Sequence, residues 1–352
     1  KQLIEIIASV SKNARVVVLD EPTASLGDTE KNKLFEVMRS LRERGISMIF
    51  ISHILEEVLA ICDRITVVRD GHRVGTYDNR GLTKDFLIEK IVGTQIDESA
   101  AAKSDTSAPT GTPALELGGL SYKGFFDDVS LQVHCGEIVG VLGLLGSGKT
   151  EMADICFGLV KPSAGRVSID GAPQRRMTPL MAIRKGIGYV TEDRQRSGVF
   201  AFMSVLKNCS ISIIERLRGF LGVLDRAREI RSVDEAVGSL GIKIASLEQE
   251  VRQLSGGNQQ KVLLGRWLIA NQKILIFDEP TKGVDVGARS EFYRILRDLR
   301  DKGRALLVLT SDHREALTVS DRLFLLMKGK LVEYGSLEGA TPKDVLSRLT
   351  GD

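Results

Sequence analysis

Cysteine is scarce in this chain, and what there is lies scattered. Cys62, Cys135, Cys156 and Cys209 are far apart in sequence. Neither a Cys-x-x-Cys metal clip nor a disulfide framework is indicated, and a reducing compartment suits the composition. Long apolar runs are missing too. No stretch approaches the roughly 18 residues that span a bilayer, so any membrane role is expected to be peripheral. Charge of one sign is also lacking. The 352 residues carry a net charge of +3, too little to argue for a nucleic-acid partner. An initiating methionine and an N-cap are absent as well. Lys1 opens inside an apolar-periodic segment, Leu3, Ile4, Ile6, Ile7 and Val10. Glu5 interrupts it and no small-residue cleavage site follows, which argues against a signal peptide. A helix that starts without a cap leads us to expect that the natural chain continues upstream. What remains is ordinary globular composition, 43% hydrophobic and 27% charged, long enough for two domains with substantial cores.

The chain is organised around the loop Gly143-Leu144-Leu145-Gly146-Ser147-Gly148-Lys149-Thr150. An apolar run, Ile138 to Leu142, precedes it and reads as a buried strand. Glu151 to Cys156 follows and reads as the first turns of a helix. Strand, G-x-x-x-x-G-K-[ST], helix is a phosphate-cradling loop in its required context. The glycines let backbone N–H groups turn inward around an anion, and the helix N-terminus adds partial positive charge. Lys149 is placed to reach terminal phosphates and the Thr150 hydroxyl to hold Mg²⁺.

An internal repeat sets the domain organisation. Val16-Val17-Val18-Leu19-Asp20-Glu21-Pro22-Thr23 recurs 258 positions later as Ile274-Leu275-Ile276-Phe277-Asp278-Glu279-Pro280-Thr281. Gly45 and Gly303, and Asp63-Arg64 and Asp321-Arg322, keep the same offset. Each Asp-Glu-Pro strand is followed by an amphipathic helix, a glycine suited to a C-cap, and a second apolar run. That is a βαβ unit with a parallel sheet. The first copy reaches back only a short way before its strand, so it has no phosphate loop of its own. Small and polar residues with two prolines make 98–113 a linker. The expected organisation is therefore 1–97, the C-terminal part of a first domain; 98–113, the linker; and 114–352, a complete second domain. Within the second, Leu115 to Val133 alternates like antiparallel strands, and Thr178 to Gly265 reads as mostly helical.

Two further motifs carry chemistry. The apolar strand ending in Asp278-Glu279 is a Walker B arrangement. Asp278 suits Mg²⁺, and Glu279 suits orienting and deprotonating the attacking water. Leu254-Ser255-Gly256-Gly257-Asn258-Gln259-Gln260-Lys261 opens another helical pattern with a second anion nest.

These motifs, in this order, resemble the P-loop, signature and Walker B of an ABC-transporter nucleotide-binding domain. LSGGNQQKV with DEPTKGVDVGA in a tandem chain resembles the ATP-binding subunit of bacterial ribose/galactose/xylose-type sugar importers. Some nucleoside importers share the double-domain layout, and some duplicated soluble ABC ATPases act on ribosomes or DNA. The latter carry basic inserts or long charged linkers, unlike this nearly uncharged one. The resemblance implies an α/β fold, a P-loop NTPase with a mixed sheet core and a helical subdomain, in tandem with a partial copy. It implies ATP hydrolysis with Mg²⁺ at the cytoplasmic face of the inner membrane. The implied partners are permease membrane subunits and, through them, a sugar-binding protein, with nucleotide-binding domains paired and no nucleic acid.

Carried over onto matching positions, the family assigns Gly143, Gly146, Ser147, Gly148, Lys149 and Thr150 to the phosphates. It assigns Ser255, Gly256, Gly257 and Gln259 to the signature that covers an opposing ATP. Asp285 matches the D-loop. Glu192 sits at the Q-loop position, as a glutamate able to reach Mg²⁺. Tyr122, with Phe125 competing, is the candidate to stack on adenine. Glu279 and Glu21 are the implied bases of the two copies, and Thr150, Asp278 and Glu192 the metal ligands. His53 matches the switch histidine. Its counterpart 258 positions on is Ser311, a departure that puts hydrolysis at the second P-loop in question. Residues 195–220, led by Phe200, Phe202 and Met203, match the docking segment for the membrane subunit. In this family each ATP lies between one domain's P-loop and the other's signature. The first copy's signature would fall just before Lys1. The chain is therefore expected to bind Mg-ATP at Lys149, to hydrolyse it poorly by itself, and to hold 1–97 loosely.

Overall fold

The structure is a computed structural model that describes residues 14–20, 22–23, 28–52, 54–69, 72–92, 111–144, 146–219, 222–284 and 286–350. It divides into two compact units, Lys1–Ala100 and Ala101–Asp352.

In the first unit β1 (Val16–Asp20) runs parallel to β2 (Ser47–Ile51), with Leu19 opposite Phe50. The crossover is α1 (Asp28–Glu43), whose Leu34, Phe35, Met38 and Leu41 bury against Val17 and Leu19. Gly45 turns the chain at φ 79°, the left-handed position a helix C-cap requires. Beyond it lie α2 (Leu55–Ile61), the hairpin of β3 (Arg64–Arg69) and β4 (His72–Asp78), and α3 (Lys84–Val92). They enclose a second core of Leu55, Val58, Ile65, Val67 and Leu87. One face of β1 and β2 stays open: Val16, Val18, Ile49 and Ile51 are each about half exposed.

The second unit begins with β5 (Leu115–Tyr122) and β6 (Phe126–Val133). Their alternation is that of an antiparallel pair with one buried face, and they do pair antiparallel. Next come β7 (Glu137–Gly143), α4 (Lys149–Phe157), β8 (Ala164–Ile169) and β9 (Ala172–Gln174). Strands β6, β5, β8 and β9, in that order, form the smaller, antiparallel sheet. The chain continues through α5 (Pro179–Arg184), β10 (Ile187–Val190), α6 (Val205–Ser210), α7 (Arg226–Ser239), α8 (Gly256–Ile269) and β11 (Ile274–Asp278). It ends with α9 (Val286–Asp301), β12 (Ala305–Thr310), α10 (His313–Val319), β13 (Arg322–Met327), β14 (Lys330–Glu333) and α11 (Pro342–Thr350).

The main sheet has the order β10-β11-β12-β7-β13-β14, parallel except for β14. Helices cover these strands, so β7, β11 and β12 are buried along their whole length. The connections run to one side of β7 first and reach β13 on the other side last. The carboxyl end of β7 is thus a topological switch point, where open α/β sheets bind ligands. The largely helical reading of 178–265 needs one correction. Ile187–Val190 is a strand at the sheet edge, four buried residues too short for periodicity to separate from a helix.

The two units share local architecture. α1, α2 and α3 begin and end 258 positions before α9, α10 and α11, and β3 does so before β13. Side-chain bonds recur as well. Thr23 Oγ1 donates to Glu57 at 2.5 Å, and Thr281 Oγ1 to Glu315 at 2.7 Å. Arg42 binds Asp63 at 3.0 Å, and Arg300 binds Asp321 at 2.7 Å. The surroundings differ. Asp321 also accepts the Ile138 N–H from β7 at 2.8 Å and its side chain is only 10% exposed, whereas the Asp63 side chain is 77% exposed.

Candidate functional site

The carboxyl ends of four parallel strands converge on one site. From β7 the chain enters the glycine loop, and Gly148 caps α4 at φ 102°. A Cβ there would sit 2.9 Å from both Phe125 and Phe126, so backbone angle and space each demand glycine. Lys149 is 5% exposed, and its ammonium donates to the carbonyls of Gly143 and Leu144 at 2.7 and 3.0 Å. It also faces Glu279 Oε1 at 3.5 Å. Its charge is thus held inside the loop by acceptors that a phosphate oxygen can replace.

From β11 come Asp278, fully buried, and Glu279. Burial pushes the Asp278 carboxyl from 3.8 up to about 7, and a hydrogen bond from the Thr150 hydroxyl opposes that rise. The Tyr189 hydroxyl, from β10, lies 3.4 Å from Asp278 Oδ2 and 3.2 Å from Asp154 Oδ1. Asp278 Oδ1 is buried with no hydrogen-bond partner, and so is Ser147 Oγ. Asp278, with one carboxylate oxygen orphaned, and the Thr150 hydroxyl are hard-oxygen donors of the kind Mg²⁺ takes. Among the described residues no cluster of three or more His, Cys, Asp or Glu could hold a metal unaided.

Glu279 has φ 47°, a left-handed backbone that costs a non-glycine residue energy and collects at functional sites. Its backbone N–H still donates to Leu309 O at 2.8 Å. Its Oε2 accepts both the backbone N–H and the hydroxyl of Ser311, each at 3.1 Å. Ser311, read from the sequence as a missing histidine, is a direct partner of the proposed base.

An open cavity of about 800 Å³ adjoins the loop, lined by Tyr122, Phe125, Phe126, Gly146 and Ser147, with Lys123, Lys328 and Lys330 among its walls. The Tyr122 and Phe125 rings stack on each other, with centroids 5.7 Å apart and planes at 22°. Three lysines beside an aromatic face suit a base joined to a polyphosphate.

The signature forms a separate corner, and none of Ser255 to Gln259 lines that cavity. Ser255 caps α8 by accepting the Asn258 N–H. A Cβ on Gly256 would meet Gly283 O at 3.0 Å, and one on Gly257 would meet Ala288 equally closely. Gln259 turns inward and donates to Val251 and Leu254 carbonyls at 3.3 and 3.1 Å, so it braces its own loop. Glu192 forms an ion pair with Lys282 at 2.5 Å. Sequence reasoning gave no role to Arg194. Its guanidinium donates to Gly256 O and to Lys282 O, both at 3.0 Å, and so ties the segment after β10 to the signature and to the loop after β11. Glu21, His53 and Asp285 lie outside the described residues.

Comparison with known proteins agrees with this geometry. Residues 126–282 match the ABC transporter family. The ribose import ATP-binding protein RbsA 1 of Rubrobacter xylanophilus is 42% identical over 99% of this chain and 69% of its own length. RbsA of Bacillus subtilis is 38% identical over 100% of this chain and 70% of its own. A putative ribose/galactose/methyl galactoside import ATP-binding protein of Burkholderia cenocepacia is 38% identical, over 94% of this chain and 63% of its own. Among solved structures, the dimeric bacterial ABC transporter cassette MJ0796 aligns with TM-score 0.55 and 26% identity, over 63% of this chain and 99% of its own. Identity of this extent, over a chain folded around these motifs, establishes that the protein belongs to the ABC transporter ATP-binding proteins, in the group that contains these sugar-import relatives.

Proposed function

We propose that this chain binds and hydrolyses ATP to energise import of a sugar of the ribose/galactose kind through separate membrane subunits. The observation that carries the nucleotide site is Lys149 buried among the loop carbonyls and facing Glu279. The relatives' names support the sugar. Thr150 and Asp278 hold Mg²⁺, which screens phosphate charge when bound. Glu192 joins them only after leaving Lys282. Glu279 accepts the proton of the attacking water; Glu21 with His53 serves the first copy in the same way. Tyr122 with Phe125 stacks on the base.

Residues 1–97 are the C-terminal part of a first nucleotide-binding domain, 98–113 the linker, and 114–352 the second domain. The recurrence of elements and side-chain bonds at the 258-residue offset supports this division. Ser255, Gly256 and Gly257 serve an ATP held by the partner domain's loop, since they stand apart from the cavity beside Gly146 and Ser147. The exposed Phe200, Phe202 and Met203 form the face for the permease subunit, and the sugar-binding protein acts through that permease. No helix among the described residues is long and apolar enough to cross a membrane, which suits a peripheral subunit at the cytoplasmic face.

The test is uptake by vesicles holding the full-length protein, its membrane subunits and the binding protein. ATP-dependent accumulation of a labelled pentose or hexose, abolished by Lys149→Ala, is expected. Uptake that survives this substitution, or no sugar uptake at all, contradicts the reading.

A further inference from the structure

The geometry points to Ser311 as a positioning residue for Glu279, which keeps the Lys149 site competent for hydrolysis without a histidine. This rests on the reading of Glu279 as the base. One carboxylate oxygen, Oε2, is fixed by two donors on a single residue, the Ser311 N–H and hydroxyl, both at 3.1 Å. The other, Oε1, faces Lys149 Nζ at 3.5 Å. A carboxylate held at one oxygen by two donors cannot spin about its terminal bond, so the second oxygen is aimed to one side.

The frame around Ser311 is itself fixed. It follows β12, whose Thr310 is buried and whose hydroxyl accepts the Asp312 N–H at 3.0 Å. Asp312 caps α10 by accepting the N–H groups of Arg314 and Glu315. On the other side, Glu279 is anchored through its N–H to Leu309 O at 2.8 Å, and its own carbonyl accepts the Lys282 N–H at 3.1 Å. The left-handed backbone at Glu279 persists because both ends are held. In the step this serves, a water oxygen forms a bond to the γ-phosphorus. One water proton passes to Glu279 Oε1, the bond from phosphorus to the bridging oxygen breaks, and ADP leaves with that electron pair. Glu279 then returns its proton to solvent.

The experiment uses the full-length protein assembled with its membrane subunits, with Glu21→Gln in every variant and in the reference so that turnover at the first copy does not mask the Lys149 site, and measures kcat and KM for ATP together with nucleotide affinity. Glu279→Gln sets the floor for loss of the base. Ser311→Ala removes the hydroxyl and leaves the N–H. We expect kcat about tenfold below wild type, with KM and ATP affinity unchanged, and Ser311→Thr restoring most of the loss. Should the alanine variant melt early, Ser311→Cys has the same shape with a weaker donor and is expected to lower kcat in the same way. If Glu279→Gln lowers kcat and Ser311→Ala stays within twofold of wild type, the inference is overturned while the base assignment stands. Wild-type turnover in Glu279→Gln overturns both.

Discussion

Glu315 is the residue whose environment makes the clearest solution prediction. It is buried on α10 and accepts the Thr281 hydroxyl. Burial pushes its carboxyl from 4.5 up to about 7. Between those values the folded chain binds more protons than the unfolded one, so stability falls as pH rises through that window and levels off above it. Glu315→Gln keeps an acceptor for Thr281 and has nothing to titrate. Its melting temperature is expected to fall less than that of wild type between pH 5 and 7.5, by an amount worth about 2 kcal/mol. Asp278 shifts in the same direction in both proteins, so the difference isolates Glu315. Parallel melting curves across that range would contradict the assignment. At this scale the sequence was legible where a residue type has few uses. A lysine after Gly-Ser-Gly, or an acidic pair closing an apolar strand, has a small menu of roles. Ser311 was not legible. The offset located it, but nothing in the sequence says that its N–H and hydroxyl meet one carboxylate oxygen, because that contact depends on the left-handed turn at Glu279.

The element that links the corners of the site is the segment from Glu192 to Gly198. Through Arg194 it holds the first turn of α8 and the loop after β11. Its far end is held by α8 as well, since Arg266 donates to Gly198 O at 2.8 Å and to Asn208 O at 2.9 Å. Asn208 in turn binds both the N–H and the carbonyl of Phe200. The exposed phenylalanine face is thus joined by short polar contacts to two places on the signature helix. Arg194→Ala is predicted to cost about 2 kcal/mol. It should raise amide exchange at Gly256 to Gln259 and leave ATP affinity at Lys149 unchanged. Unaltered exchange there would remove the clamp from the account. Hydrophobic period and caps gave α8 and α9 from sequence, but an arginine clamp on carbonyls leaves no periodic signal, and β10 is too short to carry one.

For the whole molecule, the same strands stand in two surroundings. Ile274, Ile276, Leu307 and Leu309 are fully buried in the second unit, whereas Val16, Val18, Ile49 and Ile51 at the matching positions are about half exposed. Amide exchange is predicted to be markedly faster in β1 and β2 than in β11 and β12. Equal protection would show that the first unit is covered on that face. The recurrence was legible because an eight-residue motif repeats at one offset; the unequal burial was not, since it depends on what packs over each pair of strands. The central claim, that Gly143 to Thr150 and Asp278 form one Mg-ATP site, is tested most directly by titration calorimetry of the folded chain. ATP should bind with magnesium and about tenfold or more weakly without it. Lys149→Ala should lose about a hundredfold in affinity while melting within a few degrees of wild type. Magnesium-independent binding, or unchanged affinity in that variant, would contradict the account.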